Sequence, residues 1–407
     1  MSGALSHLRV LDLSRVLAGP WAGQMLADLG ADVIKVERPG AGDDTRSWGP
    51  PYLRDAEGRD TDVASYYLCA NRNKRSITID ITRPEGQALV RQLAAQSDVV
   101  LENFKLGGLA QYGLDYAALK TVNPRLVYCS ITGFGQDGPY APRAGYDFLI
   151  QGLGGLMSLT GRPDGEDGGG PMKVGVALTD ILTGLYATNA VLAALAWREQ
   201  SGEGQFIDLA LLDVQVACLA NQAMNYLTTG QNPQRLGNAH PNIVPYQDFP
   251  TADGYMILAI GNDGQFARFC AEAGAPELAG DARYATNKAR VANRASLIAA
   301  LKRLTIERTT ADWVAALEAQ AVPCGPINTL AEVFADPQVR ARGLQVNMAH
   351  PQAGSVPLVA NPMRLSATPV QYRSPPPALG EHTDHILRDT LGLDAQAIDA
   401  LRAAGVI

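Results

Sequence analysis

Short apolar runs and helical stretches alternate along the first third of the chain. Residues 8–13 place apolar side chains at alternate positions, the period of a strand. Residues 19–29 read as a helix. Residues 31–37 read as a second strand, which stops at Pro39 and Gly40. Residues 76–81 are a third strand. Residues 84–96 form a helix with Pro84 at its start, where a missing N–H leaves no helical bond unmade. Residues 99–101 and 126–131 are short strands of the fully buried kind. Strands that alternate with helices imply parallel βαβ units and an open, Rossmann-like α/β sheet. Ligands of such sheets sit beyond the carboxyl ends of the strands.

The pattern changes in the middle of the chain. Residues 179–198 read as a long helix rich in small residues, and residues 209–227 as another, a linker helix within 206–229. Turn signals follow at Gly230-Gln231-Asn232-Pro233 and His240-Pro241-Asn242. Residues 246–249 and 255–260 suit two strands joined around Asp253-Gly254. Helices are expected at 264–273 and 295–305. This reads as a smaller α+β domain over 230–325, after a large α/β domain whose N-terminal part is 1–205. Pro375, Pro376 and Pro377 mark a stiff, extended connection before a last helix at 382–391.

The 407 residues carry 46% hydrophobic and 18% charged residues and a net charge of -7. Such a chain has no bulk attraction for nucleic acid or for an anionic membrane. An anionic ligand therefore needs a local basic pocket. The five cysteines are odd in number and form no C-x-x-C pair, which argues against a disulfide framework and a thiolate zinc site. No signal peptide and no membrane span are expected, and a reducing cytoplasm fits best.

Candidate chemistry clusters in a few places. The first βα turn carries Gly19 and Gly23, and its helix ends at Gly30, but the G-x-G-x-x-G fingerprint is absent. A purely structural βαβ unit is the better reading there. Arg38 suits a ligand with a phosphate on its ribose, as in NADP or coenzyme A. Arg72, Lys74 and Arg75 form a compact basic cluster before a strand, suited to phosphate or carboxylate, or else a solvated loop. Arg46 and Arg143 are weaker candidates of the same kind. Asp180 opens a helix after Gly175-Val176-Ala177-Leu178-Thr179. The helix dipole would keep it ionised, and an ionised, poorly solvated carboxylate can attack a thioester carbonyl. The plain alternative is a helix cap. The loop from Gly261 through Asn262, Asp263 and Gly264 to Gln265 suits either a lid or an ordinary turn into a helix. His382 and His385 are three apart but lack partners at metal-site spacing, so no metal is expected.

Several stretches taken together resemble the class III CoA-transferases, the family of formyl-CoA transferase. They are Val10-Leu11-Asp12-Leu13-Ser14-Arg15-Val16-Leu17-Ala18-Gly19-Pro20, the run from Asp28 to Gly40, Asn73-Lys74-Arg75-Ser76, and Glu102-Asn103-Phe104. Gly133-Phe134-Gly135-Gln136-Asp137-Gly138-Pro139, Arg143-Ala144-Gly145-Tyr146-Asp147 and Gly175–Asp180 complete the set. The likeness runs essentially end to end. It is nearest the succinate–hydroxymethylglutarate (glutarate) group, through Gly42 to Pro51 and Gly325-Pro326-Ile327-Asn328.

The resemblance implies an interlocked homodimer in which residues 326–407 return to complete the large domain. It places the nucleophile at Asp180. It implies coenzyme A binding by Leu17, Ala18, Arg38, Ile79, Thr82, Asn103, Phe104, Tyr146 and Asp147. The substrates implied are an acyl-CoA and a dicarboxylic acid, with no resident cofactor. Arg72 would grip a distal carboxylate, and Gly261 and Gly264 would lie in a lid. Leu17 and Thr82 stand where formyl-CoA transferase has glutamine and lysine, so a formyl or oxalate specificity is not implied. The α-methylacyl-CoA racemases share the fold but use a histidine where this chain has Tyr146, a poor base at neutral pH. A CoA-binding protein without catalysis is the third reading.

Overall fold

In the computed structural model, which describes residues 3–407, six short strands pair side by side. They are β1 (Arg9–Asp12), β2 (Asp32–Glu37), β3 (Lys74–Thr78), β4 (Val99–Glu102), β5 (Val127–Thr132) and β6 (Phe206–Ala210). Their order is β3-β2-β1-β4-β5-β6, and every pairing is parallel. This is the doubly wound order, in which the winding reverses between β1 and β4.

Both faces of the sheet are covered, and the central strands bury side chains on both sides. Val10, Val33, Val99 and Val127 turn to one face. There they meet Ala22 and Leu26 of α1 (Ala18–Asp28) and, from a later helix, Ala187 and Val191. Leu11, Ile34, Val100 and Tyr128 turn to the other face. They meet Leu89, Val90 and Leu93 of α2 (Pro84–Ala95), with Ile386, Ile398 and Val406 from the C-terminal segment. Further along lie α3 (Asp147–Leu153), α4 (Leu178–Ser201) and α5 (Leu211–Ala217). By length and composition α4 is apolar enough to cross a membrane. It packs along α1 instead, burying Thr183, Gly184, Ala187 and Val191.

One sequence reading needs correction. The stretch 209–227 is not one helix. Phe206–Ala210 is the sixth strand, and α5 follows it at once, without a turn. The helical run then breaks before a further helix, Ala220–Thr229, with Ala220 at φ 46°. The C-terminal segment packs on the sheet unit without adding a strand to the sheet, which leaves the reading of 326–407 as a return segment standing. It contributes an antiparallel pair, Gln345–His350 with Gly354–Val359, and the helix Thr383–Asp389, which packs on β3.

Met1–Leu156, Val174–Met224 and Arg340–Ile407 form one compact unit, and Met157–Lys173 with Asn225–Val339 form a second. The second has a three-stranded antiparallel sheet in the order Cys324–Pro326, Tyr255–Ala259, Tyr246–Pro250. Phe249, Leu258, Phe266, Phe269 and Trp313 fill its core. The Trp313 indole donates to the Thr305 carbonyl at 2.7 Å, so the buried N–H is satisfied. Gly261 and Gly264 lie in this unit, at the start of the helix Asp263–Glu272. Asn262 caps that helix, accepting from the Gln265 N–H at 2.9 Å, and Gln265 accepts in turn from the Gly261 N–H at 2.8 Å. Locally the segment is a capped helix start.

Candidate active site

The carboxyl ends of the parallel strands open onto a cavity of about 530 Å³, within the first unit. It straddles the point where the winding reverses. Leu13 beyond β1 and Asn103 and Phe104 beyond β4 line it, as do Arg38 beyond β2, Ile79 and Thr82 beyond β3, and Gly133 beyond β5. Leu17, Ala18, Tyr146 and Asp180 complete the set of sequence candidates found there. Asp147 stands behind Asp180 instead of in the lining. Lys105, Leu106, Gln111, Tyr112 and Arg143 also line it.

The turn from Ser14 to Leu17 shapes one wall. Val16 has φ 72°, a conformation rare for a β-branched residue, which carries strain of about 1–3 kcal/mol. Neighbours hold it there. The Val16 N–H donates to Asp43 at 3.2 Å. The Asn103 amide clamps Arg15 from both sides, accepting from its N–H at 2.9 Å and donating to its carbonyl at 2.7 Å. Asn103 thus ties the end of β4 to the β1–α1 turn. No side chain caps the N-terminus of α1, which begins at the cavity.

Asp180 lies in the first turn of α4 and is buried. It is not the cap. The Asp147 carboxylate takes that role, accepting from the Thr179 N–H at 2.8 Å and the Asp180 N–H at 3.2 Å. Asp147 is itself held by the Gln151 amide at 2.6 Å, and the Thr179 hydroxyl donates to Gln215 at 2.6 Å. Gln151 and Gln215 are fully buried, and sequence reading missed both, since a glutamine on an amphipathic helix looks like a surface residue. Relieved of capping, the Asp180 carboxylate has no protein donor and no cation among the described residues. Burial, and after it the Asp147 charge, push its pKa up to about 7. That corrects the expectation that the helix dipole keeps it ionised. Tyr66 lies close by. Burial, together with the charges of Asp180 and other acidic neighbours, raises its phenol to about 12.

The basic cluster has a different fate from either expected one. Lys74 is fully buried and donates to Asp12 at 2.9 Å, to the Pro20 carbonyl and to Asn71. Arg75 pairs with Asp32 at 2.6 Å. Arg72 is buried on Asp28 at 2.5 Å and on the Val359 carbonyl at 2.7 Å, with its guanidinium over Tyr372. It is absent from the cavity lining, and no free face remains for a substrate carboxylate. Lys35 pairs with Asp43 at 2.8 Å, both fully buried, and Arg46 grips Glu37 with two bonds of 2.7 Å. Gly19 and Gly23 serve this packing. A Cβ at 23 would lie 2.7 Å from the Asp12 carboxylate, and one at 19 would lie 2.3 Å from Ser14. The cations left exposed at the cavity are Arg15, which pairs with Asp44, and Arg38, Lys105 and Arg143, which can meet an anionic ligand.

Residues 5–383 match the model of CoA-transferase family III. The chain is 57% identical over 385 residues to a succinate–glutarate CoA-transferase of Agrobacterium fabrum, covering 95% of each. It is 46% identical over 403 residues to the human succinyl-CoA:glutarate CoA-transferase, covering 99% of this chain and 90% of that one. Among solved structures, a CAIB/BAIF family protein from Brucella suis superposes with a TM-score of 0.84 at 54% identity, over 96% of this chain and all of that one.

Proposed function

We propose, for a chain that belongs to CoA-transferase family III and is therefore a CoA-transferase, that it moves coenzyme A from succinyl-CoA to glutarate or a similar dicarboxylic acid through Asp180. The relatives support the substrate pair by their names. One observation carries the role of Asp180. A buried carboxylate without donor or counter-charge lies in the lining of a cavity at the ligand end of the sheet.

The chemistry follows from that environment. The Asp180 carboxylate attacks the thioester carbonyl, and the C–S bond breaks to give a mixed anhydride and a CoA thiolate. The thiolate attacks the aspartyl carbonyl, releasing succinate and leaving an aspartyl-CoA thioester. The acceptor carboxylate attacks that thioester and frees the thiolate again. The thiolate takes the acceptor acyl group and returns Asp180 as a carboxylate. No net proton moves. A carboxylate stripped of hydrogen bonds is a stronger nucleophile than a solvated one, and a raised pKa marks that basicity. The free N–H groups at the start of α1 suit the tetrahedral oxyanions. Arg38, Lys105 and Arg143 suit the phosphates of coenzyme A. The assembly is proposed to be a homodimer. A proton-exchange reaction of the racemase kind finds less support, since no histidine is among the described residues lining the cavity.

The test is mass spectrometry of the intact protein after succinyl-CoA and hydroxylamine or borohydride. An adduct mapped to Asp180 and absent from Asp180→Ala is the expected result. Binding of CoA with no adduct, and exchange of the substrate α-proton with deuterated solvent, would overturn it in favour of a racemase.

A further inference from the structure

Glu102 is a buried acid with no place in the chemistry above. It ends β4, one residue before the loop whose Phe104 and Lys105 line the cavity. It is 6% exposed. One carboxyl oxygen accepts from the Phe104 N–H at 2.8 Å. Ser130 on β5 lines the same small cavity as Glu102, and its hydroxyl accepts from the Gln136 amide at 2.9 Å. This second cavity is of about 60 Å³, and Phe104, Lys105, Leu106 and Gly108 line both cavities. The loop therefore stands between the ligand space on one side and a small recess on the other. Phe104 packs against the apolar cluster that holds Leu109, Tyr112 and Tyr116, which fixes its ring but not its backbone N–H. Three bonds anchor the root of the loop, the two of the Asn103 clamp on Arg15 and the Glu102 bond to Phe104.

We propose that Glu102 is a positioning residue for the CoA-thioester reaction: its buried carboxyl holds the Phe104 backbone so that Phe104 and Lys105 present a preformed wall to coenzyme A. This rests on the CoA-transferase reading. It concerns binding of the CoA portion and not the acyl transfer at Asp180. Phe104 in turn carries the Arg15 guanidinium 5.6 Å from its ring centre, so a shift of the loop reaches the β1–α1 turn as well.

The bond strength depends on charge, since an ionised carboxyl is the stronger acceptor. Burial raises the Glu102 pKa to about 7, against the pull of the Ser130 and Phe104 donors. The groups facing it are few. Tyr128 and Cys129 on β5 are both raised further by the Glu102 charge after burial. Asp115 and Lys105 lie on the small cavity, and Asp208 on β6 binds the Gln136 N–H at 3.0 Å. Above about pH 7 the carboxyl is ionised and the wall is held. Below it, the bond weakens.

The experiment measures KM and kcat for succinyl-CoA in the full chain from pH 6 to pH 8. Glu102→Ala is expected to raise KM on the order of tenfold, the scale of one charge-assisted hydrogen bond, with kcat within about twofold. Glu102→Gln keeps an oxygen for the Phe104 N–H. It should recover most of the KM and lose the part of its pH dependence that Glu102 supplies. Asp180 titrates in the same range, but its protonation enters kcat and persists in Glu102→Gln. Ser130→Ala, a smaller change that keeps the fold, should move the midpoint of the KM profile to higher pH, because a donor to the ionised form is lost. An unchanged KM in Glu102→Ala, or a Gln variant that melts normally yet behaves like Ala, overturns the assignment. If the wild-type chain lacks transferase activity, the Kd of coenzyme A by calorimetry replaces KM. A tenfold weaker Kd in Glu102→Ala still supports the positioning role, and an equal Kd ends it.

Discussion

Two kinds of buried charge lie close together in this molecule. Asp12 and Lys74 are paired at 2.9 Å outside the cavity lining, and Lys35 and Asp43 at 2.8 Å within it, each fully buried. Burial drives Asp43 upward, but the Lys35 ammonium and hydrogen bonds from Lys35 and Thr45 together more than offset it, and the carboxyl ends at about 2. Asp180 is buried to a similar degree with no cation, and burial wins outright. The same residue type is thus a fixed anion in one place and a group poised near neutral pH in the other. What separates them is the counter-charge and not the burial. A carboxylate already neutralised by an ammonium has little left to give an electrophile. A lone one does.

The largest expected effect breaks the comparison at its reactive end. Asp180→Ala should lower transferase turnover on the order of 10⁴-fold or more, the scale on which loss of a covalent nucleophile is felt, with coenzyme A binding retained. Activity assay with calorimetry checks both halves. Activity within tenfold of wild type would return Asp180 to a structural role. The matching change at the paired end acts on stability. Asp12→Ala leaves Lys74 buried without its partner and should destabilise by about 3–5 kcal/mol. The double change Asp12→Leu with Lys74→Met should recover most of that loss, because two apolar residues leave no orphan charge. Thermal denaturation of the two variants decides the point. Equal melting of single and double variants would show that the pair is not what the core responds to.

The next effect joins charge to pH. The folded pKa of Asp180 lies near 7, above its unfolded value of 3.8. Between those values the native state binds more protons than the unfolded chain, so stability falls as pH rises through that window. The loss is complete above about pH 7 and absent below about pH 4. Asp180→Asn cannot ionise. It should be more stable than wild type at pH 8, by roughly 1–4 kcal/mol, and equal to it near pH 4. Wild-type turnover should rise with pH through about 7, as the nucleophile ionises. Asp147→Asn keeps an oxygen for the helix N–H groups but removes the charge. It should move the midpoint of that rise to lower pH, since Asp147 is the second cause that raises Asp180.

Sequence reading reached the sheet, Asp180 and much of the cavity wall by different routes. The runs at 99–101 and 126–131 announce strands buried on both faces, and such local patterning survives in one chain. Asp180 was legible as a helix-start acid, and the family likeness raised it above a cap. The role of Asp147 as the actual cap was not legible, because it comes from another helix, 33 positions away. The basic cluster misled for the same reason. Lys74 finds Asp12 at a separation of 62 residues, and Arg72 reaches the Val359 carbonyl at 287. A charge run looks the same on paper whether water or a distant carboxylate faces it. Strand β6 was missed because Ala210 ends the strand and Leu211 starts a helix, so no turn residue marks the border.

The smallest expected effect tests whether pairing alone accounts for the rigid end of the comparison. Arg54 and Asp60 form an ion pair at 3.2 Å in a surface hairpin, with side chains 72% and 55% exposed. Its N–O distance is close to that of the buried pairs. If geometry were the source of their stability, removing it would matter equally. In water the gain from bringing the charges together is nearly cancelled by screening and by the ordering of two long side chains. Arg54→Ala should therefore change stability by about 0–1 kcal/mol, and even less in high salt. A shift in denaturation midpoint as large as that of Asp12→Ala would mean that the hairpin depends on its charges. An immeasurable one places the whole difference in desolvation, which is what a lone acid such as Asp180 experiences without any compensating partner.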